Sequence, residues 1–163
     1  MATTMKLIAS QTLGGTASSV TFSSIPQTYD DLLLCVSGRS GTNYIDVEFN
    51  ANGSGYSGRF LYGNGSSAGS GTQAKFLGVV SSTANTANTF GLIEMYVPNY
   101  AGSENKSFSA TSAYETNATV AEIQVVAGLW ANTSAITEIK VYPESASTFV
   151  TGSSFYLYGI KHS

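Results

Sequence analysis

Apolar and polar residues alternate along most of this chain, in short runs separated by clusters of Gly, Ser, Asn and Pro. Successive side chains of an extended strand point to opposite faces, so each run reads as a strand with one buried side and each cluster as a turn. The pattern predicts strands over residues 5–12, 18–24, 31–38, 44–51, 58–62, 74–81, 89–98, 106–114, 119–130, 136–142 and 153–160. No segment repeats apolar residues at i, i+3, i+4 and i+7 between a cap and a stop, so almost no helix is expected.

Several faces follow from the alternation. Ile45, Val47 and Phe49 should face the core, with Tyr44, Asp46, Glu48 and Asn50 outside. Residues 119–130 place Ala121, Ile123, Val125, Ala127 and Leu129 inward, and Glu122, Gln124, Val126, Gly128 and Trp130 outward. Near the C-terminus Phe155 and Leu157 point one way and Tyr156, Tyr158 and Ile160 the other. Residues 32–36, Leu-Leu-Leu-Cys-Val, are apolar on both sides, which suits a central strand covered outside by a loop or a neighbouring subunit. The Gly-rich stretch 52–71 breaks the rhythm around one short strand and is expected to be the most mobile loop.

Many antiparallel strands, no helix and long connections near Pro98 and Pro143 predict an all-β, two-sheet sandwich. The eight-stranded jelly roll is the favoured version. An immunoglobulin-like sandwich is the alternative, without its inter-sheet cysteine pair. The 163 residues suit one domain, 1–163.

Charged residues make up only 10% of the chain, while Tyr and Phe number 10 and 8. The aromatics supply a core, and the surface must be built from Ser, Thr, Asn and Gly. A net charge of −3 and seven scattered Lys and Arg offer no basic stripe for phosphates, so nucleic-acid binding is not expected. A surface so poor in charge lacks the repulsion that keeps copies apart, which favours self-association or a larger assembly. The N-terminus lacks the apolar stretch of a signal peptide, and no run is long enough for a membrane helix. Synthesis in a cytoplasm without membrane attachment is the expectation. Five Asn-x-Ser/Thr sequons read as chance in a chain of this composition, and Cys35 as a small buried thiol.

Candidate chemistry is sparse. His162, the sole histidine, reads as a solvated tail residue and cannot anchor a catalytic pair. Asp46 and Glu48 share one strand face at roughly 7 Å, a spacing that calcium binding or glycoside hydrolysis can use, but a solvated outer face explains them as well. The glycines do not follow the phosphate-loop order. No catalytic residue, metal site or cofactor is assigned, and the chain is not expected to be an enzyme. The useful signal is a set of outward aromatics, Tyr96, Trp130, Tyr142, Tyr156 and Tyr158, read as anchors of an oligomer or partner interface, or as rings that stack on sugars.

Ser19-Val-Thr-Phe-Ser-Ser-Ile-Pro-Gln-Thr-Tyr-Asp-Asp-Leu32, followed by Leu34-x-Val36-Ser-Gly-Arg39, resembles the front of bacteriophage virion jelly-roll proteins. Ile136-Thr-Glu-Ile-Lys-Val-Tyr142 and Ser154-Phe-Tyr-Leu-Tyr-Gly-Ile-Lys161 resemble their last two strands. The resemblance implies a small structural module of the virion, found on capsids as a decoration or cement protein and also in tail fibres. With no collagen-like shaft, heptads or second domain in the sequence, the expectation is a homotrimeric decoration protein, made in the host bacterial cytoplasm, that binds the major capsid protein. The alternative is a tail-fibre or receptor-binding head that grips host glycans.

Overall fold

A computed structural model describes residues 4–118 and 120–162. Thirteen strands and no helix fill them. In chain order they are β1 (Met5–Thr12), β2 (Val20–Phe22), β3 (Asp31–Ser40), β4 (Tyr44–Phe49), β5 (Tyr56–Gly63), β6 (Ala68–Thr72) and β7 (Phe76–Val79). Then come β8 (Ser81–Ser82), β9 (Gly91–Val97), β10 (Lys106–Glu115), β11 (Ala121–Trp130), β12 (Ile139–Pro143) and β13 (Ser154–Ile160).

They form two unequal layers of a sandwich. The large sheet runs β1-β13-β3-β9-β10-β11-β5-β6, with the two-residue β8 beside β3, and the small sheet runs β2-β12-β4-β7. Every pair is antiparallel except β3 with β8. The layout is compatible with a jelly roll, although nine strands against four is more lopsided than an even eight-stranded split. The chain uses its second layer as a lid on part of a broad sheet.

The predicted alternation fills the core. Ile45, Val47 and Phe49 of β4, Leu32, Leu34 and Val36 of β3, Ile93, Met95 and Val97 of β9, and Phe155 and Leu157 of β13 are all buried. Burying side chains of this size contributes about 1.5–3 kcal/mol each, and their two-residue spacing leaves the other face of every strand outside. Polar ends are tied down rather than left dry. Arg39, itself buried, donates to the carbonyls of Asn85, Thr86 and Thr89 and so holds the loop between β8 and β9. Lys106 reaches the carbonyls of Gly102, at 2.7 Å, and Glu104. Burial lowers its pKa, an effect partly opposed by Glu104.

The Gly-rich stretch departs from expectation. The short strand expected at 58–62 is there as part of β5, but the glycines after it form a second strand, β6, and the two make a hairpin instead of a loop. A Cβ on Gly69 would sit 2.7 Å from the Tyr62 ring, and one on Gly71 2.5 Å from that of Phe60. These glycines let aromatic rings lie flat on the neighbouring strand. The same device recurs between β10 and β11, where Phe108 lies over its cross-strand partner Gly128 and a Cβ there would come within 2.0 Å of the ring. Gly128→Ala should therefore push the buried Phe108 off its seat and cost about 1–3 kcal/mol, the usual range for overpacking. Urea unfolding of the variant against the parent measures it.

Candidate functional site

Strand β11 decides what the large sheet shows to the outside. The sequence pattern puts Ile123, Val125 and Leu129 inside and Trp130 outside, and the structure reverses it. Trp130 is 1% exposed, whereas Ile123 and Val125 are 59% and 51% exposed. Thr119, where the sequence pattern starts this strand, lies outside the described residues. The reversal has a packing cause. Trp130 stacks on Tyr56 at 6.1 Å between ring centroids and meets Phe49 of the opposite sheet edge-on at 5.7 Å, while Phe108 meets the same Phe49 at 5.7 Å. An indole buries more apolar area than an aliphatic chain and gains further from such ring pairs. With period two, burying Trp130 sends Ile123 and Val125 out. It also draws Gln124 in, with its Oε1 unpartnered, and leaves the Trp130 N–H unpartnered as well.

The outer face of the large sheet consequently carries three cross-strand rows of eight positions each. One runs Leu7, Tyr158, Leu33 and Tyr96 from β1 to β9, then Ser109, Ala127, Arg59 and Thr72 out to β6. The next runs Ser10, Tyr156, Cys35 and Glu94, then Thr111, Val125, Leu61 and Ser70. The third has no charge and includes Leu92, Ala113 and Ile123. Arg59 and Glu94 are the two charged residues in these rows, and among the described residues neither forms an ion pair. Leu61 is 63% exposed, and beside it Arg59, Ser70, Thr72, Val125 and Ala127 line a shallow, mostly apolar groove of about 470 Å³.

Three of the five expected aromatics meet on this face. Tyr96, Tyr156 and Tyr158 project from β9 and β13 around the half-buried Leu33 and Cys35. Cys35 is thus not a core thiol, and burial together with Glu94 raises its pKa. Trp130 belongs to the core, a correction to its expected outward role. Tyr142 lies apart, on the outside of the small sheet, with Lys75 and Lys140 Nζ 5.4 and 5.1 Å from its ring centre.

Asp46 and Glu48 lie on that same outer side of the small sheet, and their neighbours occupy them. Gln73 donates to Asp46 at 3.4 Å and to Glu144, and Lys75 pairs with Glu48 at 3.4 Å. Burial and the Glu144 charge push Asp46 up to about 6. Among the described residues no group of three or more His, Cys, Asp and Glu side chains could hold a metal ion.

His162 is not a free tail residue. Its ring meets Asp31 at 2.5 Å and its amide donates to Asp30 at 2.6 Å, while Lys161 pairs with Asp30 at 2.9 Å. Asp31 also accepts from the Tyr96 hydroxyl and the Asn99 amide. Burial alone would raise the Asp31 carboxyl, but hydrogen bonds from Tyr96, His162 and Asn99 outweigh it and hold the pKa below the usual value. The Tyr96 phenol, bonded to that carboxylate, is pushed up to about 12. No sequence signal pairs residue 162 with residue 31, because their meeting depends on β13 lying against β3.

No known protein family matches the chain, and no curated protein or solved structure matches it either.

Two outcomes follow. Trp130→Ala should cost about 3–5 kcal/mol in urea unfolding, as a core truncation does, rather than acting only on association. The Asp31–His162 contact should be retained only within a pH window. His162 is raised by its bond to Asp31, so its contribution is full below the unfolded histidine pKa and lost as pH rises through the folded one. Asp31 is lowered, so its contribution is present above the unfolded carboxyl pKa and lost as pH falls through the folded one. The protection of the His162 amide, the slowing of its exchange relative to that of an unstructured amide at the same pH, should thus be greatest in mildly acidic solution and fall on either side, and Asp31→Asn should flatten that protection profile.

Proposed function

We propose that the protein is a structural component of a bacteriophage virion, most concretely a decoration or cement protein that binds the assembled shell of major capsid protein. One observation carries the reading: a broad sheet face with 24 cross-strand positions, the three rows of eight, holds two charges and leaves Leu61, Ile123 and Val125 largely exposed. Aliphatic and tyrosine side chains with little charge are what the centre of a protein–protein contact is made of. The resemblance of residues 19–39 and 136–161 to phage virion jelly-roll proteins supplies the setting.

The function is mechanical. A ligand that binds the assembled shell but not its separated subunits stabilises the shell by RT ln(1 + [L]/Kd), about 2.7 kcal/mol at a hundredfold excess over Kd. An oligomer adds multivalency, because after the first contact the others form at high effective concentration. The three-fold oligomer implied by the resemblance would use this, and so would any other closed assembly.

A glycan-binding tail-fibre head is the second reading, favoured by the groove that sets Arg59, Ser70 and Thr72 beside apolar Leu61 and Val125. Immunogold labelling of intact virions with an antibody to this chain separates the two. Even labelling over the head is the expected result, and particles lacking the protein should release their DNA at a lower temperature. Label confined to the tail would favour the adhesion head, and unlabelled particles would overturn both.

A further inference from the structure

We infer that the outer face of the large sheet is a self-complementary interface, on which a second copy of this chain docks about a two-fold axis that brings Arg59 of each copy onto Glu94 of the other. The inference rests on the reading of this face as a protein contact and gives the face to a second copy, which leaves the contact with the shell to another surface of the pair.

Charge is the first argument. Arg59 on β5 and Glu94 on β9 stand on opposite sides of the β10–β11 pair, three strands and roughly 14 Å apart, on a face otherwise free of charge through its three rows. Neither has an ion-pair partner among the described residues. Arg59 spends one N–H on the adjacent Gly58 carbonyl, at 3.0 Å, and Glu94 makes no side-chain hydrogen bond among those described. One cation and one anion placed either side of a common centre are what an isologous contact requires, since the two-fold operation carries each onto the other. A covering partner of uniform charge would satisfy one and oppose the other.

The distribution of bulk agrees. An axis passing between β10 and β11 sets Leu61 on β5 of one copy against the strand of the other that carries Tyr96, and Val125 on β11 against β10. Ser109 and Thr111 on β10 lie near the centre, where short side chains permit close approach. That axis overlaps the six strands from β3 to β6 in sheet order, and six strands by three rows give a flat footprint of roughly 500 Å². A standard specific interface buries about 800 Å² per partner, so this is a contact at the small end of the range. The pair is two-fold, whereas the resemblance implies a three-fold association.

Sedimentation equilibrium on the purified chain tests this apart from any virion, so its failure would leave the virion reading to the labelling experiment. The parent protein should sediment at twice the 17.0 kDa chain mass. Arg59→Glu and Glu94→Arg, each placing like charges together twice per pair, should each raise the dimer dissociation constant at least about tenfold, and the double variant should recover most of that loss. Val125→Asp should dissociate the pair without reference to the charges. Circular dichroism checks that each variant keeps its strands, as exposed substitutions should. A monomeric or trimeric parent overturns the inference, as do single swaps that bind like the parent or a double swap that recovers nothing.

Discussion

The contact between Trp130 and Phe49 is the constraint on which the rest of this structure turns. It joins the two sheets edge-on at 5.7 Å between ring centroids, and Tyr56 closes it from the side, with its hydroxyl accepting the Phe49 amide at 2.6 Å. A strand can bury only one of its faces against the second layer, so the side chain that gains most from burial sets the orientation of the whole strand. On β11 that side chain is the indole. Everything notable on the outside, from the bare Ile123 and Val125 to the groove beside Leu61, is the counterpart of this choice inside. Adhesive exterior and aromatic interior are two results of a single register.

The small sheet covers only part of the large one, and aromatic rings make up some of the difference. Phe60 and Tyr62 of β5 spread over β6 above Gly71 and Gly69, and Tyr29 lies over Gly159 of β13. A ring laid flat on a glycine shields backbone that a side chain of its own would otherwise cover. Composition thus connects to architecture: besides the turns, glycine serves here to seat rings on strands, at Gly69, Gly71, Gly128 and Gly159. On the outer face Leu61, Ile123 and Val125 stay largely exposed.

Much of this was legible in the residues. Strands β4 and β9 follow from alternation because their inward residues are aliphatic or aromatic and their outward residues mostly differ, whereas β1, β3 and β13 are found as strands without so clean a division of faces. The alternation on β11 is ambiguous, with Ile, Val and Leu on one side and Val and Trp on the other, so periodicity finds the strand but not its direction. Glu122 and Gln124 point the wrong way because ends of inner faces tolerate polar groups: Gln124 bonds to Glu122 within the strand. Strand β6 is Ala-Gly-Ser-Gly-Thr, which has almost no side-chain pattern and takes its place from pairing with β5. Of the candidate surface, three tyrosines could be placed from their strands alone. Joining them to Leu61 and Val125 needed the strand order, which no local pattern encodes.

The position of β13 between β1 and β3 has a consequence for how the molecule is made. Residues 154–160 are synthesised after the other twelve strands described, yet they fill a gap between two of the earliest. Until they arrive, β3 presents an unpaired apolar edge and β1 has no sheet to join. Pairings over such sequence separations are slow to form, and the nascent chain carries an open slot through most of its synthesis. Closure of that slot by a strand rich in Phe, Tyr and Leu makes the arrival of β13 the event that seals the sheet, and a second chain offering the same strand too early would be its natural competitor.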